Sequence, residues 1–397
     1  MKRRTFLKLT AASGLAVALG QWRGFALAQG EARDLLVVSN AGDGSAGVAP
    51  SVSLIDPDNL TVLATVPLAG SYSFPATRWD FERDLIWAGG PNEAVHAWRL
   101  STGESVLELP TGSGQNYTEL APDGNHLIVA ARFADRFLKV SADPTADDFG
   151  EVAAEFDTYG GASPCDMTVT ADGAFAYAPD RGGDTITAVR LDPFERATVV
   201  PVESLNGAAV EPYMATVSPT GNVLFVENAK VEGGSTTGSE SIFDLSDPAN
   251  PLEVARLTPD DGLGVGAITS EFTLDGRFGL VICRDSSELS IVDTSSYQVV
   301  GNVSFPEGSN PLTGSFVFGS QGEHFFVPLP GRDAVAVVSV PGFELVELLP
   351  VGARPMGVVN LNTALPEREA AGHRLGVAMA GGRTFPAGCP DRCCGPV

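Results

Sequence analysis

Residues 218–228 read SPTGNVLFVEN, a four-residue turn followed by a run of mostly apolar residues. Ser, Pro, Thr and Gly in succession predict a tight turn, and the Val, Leu, Phe and Val after it favour a buried strand. The same combination of turn and strand recurs in residues 121–131, 170–180, 273–283 and 319–329. The chain is therefore built on one repeated unit.

Each unit continues with further segments that have strand character. One unit adds SIVDTSS at residues 290–296 and VVGNVSF at residues 299–305, and another β-rich segment precedes each turn. Four short strands per unit, repeated seven times at intervals of about 40–55 residues, are typical of a propeller. We predict an all-β fold, a seven-bladed β-propeller of four-stranded antiparallel blades.

The two ends of the repeat complement each other. The first unit opens at Asp34 without a leading strand, whereas residues 352–360 resemble a leading strand that no unit follows. Pairing of these two segments would close the ring and remove its free sheet edges. We therefore expect one propeller domain over residues 31–362, in which neither end can be removed.

Composition limits the classes of function. Hydrophobic residues make up 44% of the 397 residues and charged residues 19%, which permits a substantial core. The net charge is −24, and the five basic residues before residue 29 face no acidic ones there, so the rest of the chain carries 20 basic and 49 acidic residues. Such a field repels phosphate backbones, so we expect no nucleic-acid partner.

The N-terminal segment has the features of an export signal. Residues 3–8 read RRTFLK, a mildly apolar stretch follows, and residues 26–28 read ALA. The segment resembles a twin-arginine (Tat) signal, so we expect a signal peptide over residues 1–28 with cleavage between Ala28 and Gln29. The apolar run is shorter than a membrane span requires. We expect a periplasmic or secreted mature protein without a membrane span.

Residues 218–228 and the SIVDT at 290–294 carry a family resemblance. With the other turns and strands they resemble the YVTN-repeat (YncE-like) β-propellers over residues 31–362, apart from an irregular Gly-rich insert at 232–240 and a Cys-rich tail. The resemblance implies the seven-bladed fold and leaves the function open. Members of that family include secreted binding proteins, surface-layer proteins and subunits of periplasmic oxidoreductases.

Candidate binding residues come from the strands that lead into each turn. Propellers bind ligands at the mouth of the central channel. When the units are aligned on the turn glycine, two positions per unit fall on the inner strand. Arg78 lies beside one of these positions. These positions include Tyr117, Glu119, Asp166, Met214 and Glu271. A mouth rich in carboxylates suits a cation, a metal or a polyol. Alternatively, these are ordinary polar residues between blades that bond to the backbone.

Histidine and cysteine usage restricts cofactor chemistry. The four His residues are scattered, and His126 and His324 occupy equivalent repeat positions, which indicates structural roles and argues against copper clusters and axial haem ligands. No C-x-x-C-H motif occurs, which excludes covalent haem c. Cys165 and Cys283 fall in different units and are expected to be separate buried thiols.

The expected C-terminal tail, residues 363–397, carries Cys389, Cys393 and Cys394. Three Cys residues so close together can bind a soft metal such as Cu(I) or Zn(II), form a disulfide or tether a partner. The cofactor therefore stays open, with Cu, Zn or Ca as possible ions.

Three hypotheses for the function remain. The first is a ligand-binding or protein-interaction module with no catalysis of its own. The second is the propeller subunit of a periplasmic oxidoreductase, similar to the heavy chain of amine dehydrogenases, with a protein partner that carries the redox chemistry. The third is a metal-dependent, lactonase-like hydrolase. The sparse His residues favour the first.

Overall fold

The computed structural model describes residues 35–44, 46–67, 77–80, 83–89, 93–99, 104–204, 209–229, 238–319 and 322–361. These residues form seven four-stranded antiparallel sheets, and helix within them is confined to short 3-10 turns such as Arg132–Ala134 and Pro259–Asp261. The prediction of an all-β, seven-bladed β-propeller is confirmed.

The described residues divide into two compact units. One unit comprises the described parts of residues 35–110 and 313–361 and contains three sheets. Sheet I consists of β1 (Leu35–Asn40), β2 (Ser51–Asp56), β3 (Thr61–Pro67) and β28 (Pro355–Leu361). Sheet II consists of β4 (Thr77–Asp80), β5 (Leu85–Gly89), β6 (Ala94–Arg99) and β7 (Ser105–Pro110). Sheet VII consists of β24 (Ser315–Gly319), β25 (Gly322–Leu329), β26 (Ala334–Val340) and β27 (Leu345–Pro350).

The other unit, the described parts of residues 111–312, contains four sheets. Sheet III consists of β8 (Asn116–Leu120), β9 (His126–Ala131), β10 (Arg136–Ser141) and β11 (Val152–Asp157). Sheet IV consists of β12 (Thr168–Val169), β13 (Phe175–Asp180), β14 (Thr185–Leu191) and β15 (Phe194–Pro201). Sheet V consists of β16 (Pro212–Val217), β17 (Val223–Asn228), β18 (Ser239–Asp244) and β19 (Leu252–Leu257). Sheet VI consists of β20 (Ala267–Phe272), β21 (Phe278–Cys283), β22 (Glu288–Asp293) and β23 (Gln298–Ser304).

The first and last described strands lie in the same sheet. β28 pairs antiparallel with β1, with Leu36 opposite Asn360 and Val38 opposite Val358. Leu36, Val38 and Val358 are fully buried in an apolar cluster that also contains Phe326 of sheet VII. The strand at residues 352–360 therefore completes the first sheet, as the sequence predicts.

The side chains of β17 point alternately into two apolar clusters, one on each face of sheet V. Leu224 and Val226 pack into the cluster shared with sheet IV, whereas Val223 and Phe225 pack into the cluster shared with sheet VI. Because strand side chains alternate between faces, Glu227, two residues after Phe225, also faces sheet VI. The packing of β17 thus directs a carboxyl group into an otherwise apolar interface.

Aspartates in the tight turns between the second and third strands of a sheet hold the segment that leads to the next sheet. Asp135 has a φ of 48° and accepts hydrogen bonds from the backbone N–H groups of Gly161 and Ser163 at 2.8 and 2.7 Å. Asp184, with a φ of 52°, accepts likewise from Glu211 at 2.8 Å. Asp tolerates this left-handed conformation, so the same residue serves the turn and the connection.

Two sequence expectations differ from the structure. The β-rich segment expected before the turn at residues 170–173 is reduced to β12, and Pro164 ahead of it forms only an isolated bridge with Asp180, since Pro164 has no N–H to donate to a ladder. Ser239 and Glu240, expected within the irregular insert at 232–240, belong instead to β18, where Glu240 lies in the ladder opposite Glu227.

Candidate functional site

The candidate binding residues of the 111–312 unit lie on or beside its inner strands. Tyr117 and Glu119 are on β8, Asp166 precedes β12, Met214 is on β16 and Glu271 is on β20. Glu271 is half-buried and the other four are buried, at 6% exposure or less. Their role as ligand contacts stays a prediction.

Asp166 and Thr168 face the inner strand of the next sheet. The Asp166 carboxylate accepts a hydrogen bond from the backbone N–H of Ala215 at 3.4 Å, and the Thr168 hydroxyl accepts one from Val217 at 3.2 Å. These bonds join the inner strands of sheets IV and V. They match the alternative in which polar side chains between blades bond to the backbone, and they also hold the Asp166 carboxylate in a fixed position.

Tyr117 belongs to a buried polar network between sheets III and IV. Its hydroxyl lies 3.4 Å from the Cys165 sulfur and accepts a hydrogen bond from the Gln115 amide at 2.9 Å. The Arg132 guanidinium donates to the Gln115 carbonyl oxygen at 3.0 Å and to the Ser163 hydroxyl at 2.9 Å. A chain of defined donors and acceptors of this kind fixes the orientation of the Tyr117 ring.

A second group of carboxyls, which the sequence does not predict, includes one that is close enough to Asp166 for the Asp166 charge to raise its pKa. Glu227 on β17 and Glu240 on β18 are directly opposite each other in the ladder of sheet V, and both side chains are fully buried. All four of their carboxyl oxygens lack a well-formed hydrogen bond. We call Asp166, Glu227 and Glu240 the acidic region.

Burial and mutual repulsion both disfavour ionisation in the acidic region. Burial, opposed by the Ser270 hydroxyl and reinforced by the Asp166 charge, raises the pKa of Glu227 to about 7. Burial and the charge of Glu227 raise the pKa of Glu240 well above its usual range. Among the described residues, the charged neighbours that shift these two pKa values are themselves acids, and none of them is a compensating cation.

Of these two residues, the sequence contained a signal for Glu227 only. In the neighbouring repeats the position of Glu227 is occupied by Ala130, Pro179 and Ile282, so a Glu there interrupts an apolar pattern. Glu240 was hidden because it directly follows the Gly-rich stretch, which does not resemble a strand.

Arg78 lies in the other unit. It is on β4 of sheet II, opposite Trp87 in the ladder, and is 3% exposed. His96 stacks on Trp98 in the same sheet, with ring centroids 5.4 Å apart. His126 is on β9 and His324 on β25, so the two lie in different sheets, as expected.

The two propeller cysteines are separate buried thiols, as expected. Burial raises the pKa of the Cys283 thiol to about 12, which keeps it protonated and unreactive. The tail residues Cys389, Cys393 and Cys394 and the cleavage residues Ala28 and Gln29 lie outside the described residues.

The described ranges lack two kinds of feature. Across them, no three His, Cys, Asp or Glu side chains converge on a point where together they could hold a metal ion. None of the helices in that part of the chain has the length and apolarity needed to cross a membrane.

The chain resembles solved structures in fold. The Pseudomonas aeruginosa periplasmic gluconolactonase PpgL is 17% identical, with a TM-score of 0.62, over 84% of this chain and 100% of that one. A protein from Lactobacillus plantarum is 13% identical, with a TM-score of 0.60, over 83% of this chain and 99% of that one. The dihydro-heme d1 dehydrogenase NirN is 16% identical, with a TM-score of 0.57, over 84% of this chain and 76% of that one.

No protein-family model matches the chain, and no curated protein sequence matches it. At these identities the structural likeness establishes the fold alone.

Proposed function

We propose that this protein is an exported β-propeller of the YVTN-repeat type that binds a small cationic or polyhydroxylated ligand and has no catalysis of its own. The observation that carries the proposal is the set of buried carboxyls on the inner strands of the 111–312 unit, Glu119 and Asp166, with half-buried Glu271 on a third. Carboxylates accept hydrogen bonds from ammonium and hydroxyl groups alike.

The charge of the whole chain supports a ligand of this class. Beyond residue 28 the chain carries 49 acidic and 20 basic residues, which attracts cations and repels anions. The Tat-like N-terminal segment and the repeat pattern support export and membership of the YVTN-repeat propellers. The proposed site is periplasmic or extracellular.

A ligand screen on the purified mature protein tests this proposal. Thermal unfolding is recorded with primary amines, polyamines, sugars and sugar lactones, and each hit is followed by calorimetric titration. A ligand of the proposed class should raise the Tm of the wild type and bind Asp166→Asn and Glu119→Gln roughly tenfold or more weakly. The matched control is Asp157→Asn, a carboxylate on the outer strand β11 that is 72% exposed.

The same preparation separates the alternatives. Hydrolysis of a lactone during the screen would replace the binding module by the lactonase-like hydrolase. A protein partner or coloured cofactor that co-purifies would favour the oxidoreductase subunit. Absence of any stabilising ligand among these classes, with the wild type folded, would overturn the small-ligand proposal.

A further inference from the structure

Glu227 and Glu240 place two carboxyl groups side by side in the protein interior, which a folded protein tolerates only if their charge is neutralised. Two carboxyl groups face the same side of sheet V from directly opposed positions, where Cβ atoms lie about 4.5–5.5 Å apart. Both residues are 0% exposed. Burial of two like charges is strongly unfavourable unless protons or a cation neutralise them.

An independent group on the neighbouring sheet faces the same space. Ser270 on β20 is 0% exposed, and its hydroxyl also lacks a well-formed hydrogen bond. Ser270 lies opposite Val281 in the ladder of sheet VI, and Val281 packs into the cluster shared with sheet V, so Ser270 faces sheet V. In agreement with this placement, the Ser270 hydroxyl lowers the pKa of the Glu227 carboxyl against the effect of burial. Buried hydroxyls normally have a well-formed hydrogen bond, so Ser270 and the two carboxyls form a polar group that is incompletely bonded.

We propose that Glu227, Glu240 and Ser270 form a binding site for one hard divalent cation of the Ca²⁺ type between sheets V and VI. Their five oxygens without well-formed hydrogen bonds comprise four carboxylate oxygens and one hydroxyl oxygen. Ca²⁺ takes about 6–8 oxygen ligands in flexible geometry and accepts bidentate carboxylates, so backbone carbonyls or water complete the set.

Charge selects a divalent ion over a monovalent one. Two carboxylates and one Ca²⁺ are neutral together, whereas Na⁺ would leave one buried negative charge. Mg²⁺ fits less well, because it retains several waters and demands near-octahedral geometry. This site involves different residues from the proposed ligand contacts Asp166 and Glu119, and it does not depend on the proposed function.

The bound ion would join two sheets. Glu227 and Glu240 flank the connection between β17 and β18, and Ser270 lies on the inner strand of sheet VI. A cation held by all three fixes this hairpin against the next sheet in a way that the surrounding apolar contacts cannot.

Calcium titration of the mature full-length protein tests the site. The protein is stripped with EDTA, titrated with CaCl₂ by calorimetry and assayed for bound metal by elemental mass spectrometry. MgCl₂ and NaCl at matched ionic strength control for screening of the acidic surface. The wild type should bind about one Ca²⁺ per chain in preference to Mg²⁺, and its Tm should rise with Ca²⁺ concentration.

Glu227→Gln and Glu240→Gln are the test variants. Each retains the side-chain shape but removes a charged ligand, so Ca²⁺ affinity should fall roughly tenfold or more while the EDTA-treated variants stay folded by circular dichroism. The matched control is Asp180→Asn, which neutralises another buried carboxyl in sheet IV and should leave Ca²⁺ binding unchanged.

Two results would overturn the assignment. One is a wild type that takes up no stoichiometric Ca²⁺, which means that the two carboxyls are neutralised by protons. The other is stoichiometric binding that persists in both Gln variants, which places the ion elsewhere on the chain.

Discussion

The Asp180 carboxylate accepts a 2.6 Å hydrogen bond from the Thr187 hydroxyl. Sheets V and I have a similar hydrogen-bonded group in which an asparagine takes the place of the aspartate. At the equivalent position of sheet V, Asn228 bonds to the hydroxyls of Ser239 and Ser241. In sheet I, Asn40 bonds to Ser51 and Ser53. Sheet IV thus places an ionisable acid where a neutral amide serves elsewhere.

We expect this carboxyl to make stability fall as pH rises. Burial raises the pKa of Asp180 to about 7, from an ordinary value near 4, although bonds from Thr185, Thr187 and Tyr159 oppose the shift. The folded state therefore holds a proton that the unfolded state releases. Its contribution is fully present below about pH 4 and is lost as the pH rises through about 7, on the order of 4 kcal/mol in all.

Asp180→Asn measures that effect. The variant should be more stable than the wild type at pH 8 and should lack this loss of stability between pH 4 and 7, as measured by urea unfolding across that range. Asp157→Asn, at an exposed site, should retain the wild-type pH dependence. Parallel pH curves for the wild type and Asp180→Asn would contradict the assignment.

The turn aspartate Asp135 should contribute substantially to stability. Asp135→Ala removes the acceptor for the Gly161 and Ser163 N–H groups and places Ala at a φ of 48°. We expect a loss of about 1–3 kcal/mol in the free energy of unfolding, since one exposed and one part-buried backbone donor lose their acceptor and the backbone is strained.

Asp135→Asn is the matched control, because Asn tolerates the same backbone conformation and keeps one acceptor oxygen. Its loss should be clearly smaller when both variants are compared by chemical denaturation. Equal losses would show that charge, and not turn geometry, dominates.

Gly279 should not tolerate a methyl group. A Cβ there would overlap Cε2 of the fully buried Phe225 ring, in the apolar cluster between sheets V and VI. Gly279→Ala should cost about 1–3 kcal/mol through overpacking, as measured by thermal unfolding. Gly301→Ala on the outer strand β23 meets nothing within 4 Å and should be neutral or slightly stabilising. A neutral Gly279→Ala would mean that Phe225 moves freely.

Removal of β28 should prevent formation of sheet I. A chain that ends at residue 354 lacks the partner of β1, which exposes Leu36 and Val38. We expect low soluble yield and loss of the cooperative thermal transition. A chain that ends at residue 362 should keep the Tm of the full-length protein. A soluble, cooperatively folding 1–354 fragment would contradict a structural role for β28.

The fold was predictable because its determinants are local and repeated. A turn glycine followed by alternating apolar residues recurs often enough that the errors at Pro164 and Glu240 do not alter the number of strands. These errors have local causes, a proline without an N–H group and a strand that starts within a Gly-rich stretch.

The acidic region was less accessible to sequence reasoning. Asp166 was selected because it shares a repeat position with other polar residues. Glu227 and Glu240 approach each other only through the register of β17 and β18, and the Gly-rich stretch between them conceals that register. Which carboxyl faces which sheet depends on packing, and a single sequence does not specify it.

The pairing of β1 with β28 also determines the order in which the protein can fold. The Ser39 hydroxyl bonds to the carbonyl oxygen of Gly357, 318 residues further along the chain. During synthesis, sheet I has only three strands and an open edge until β28 has been made. Contacts so distant in sequence form slowly, and an open edge can pair with another chain. The interval before β28 arrives is therefore when this protein is most exposed to aggregation.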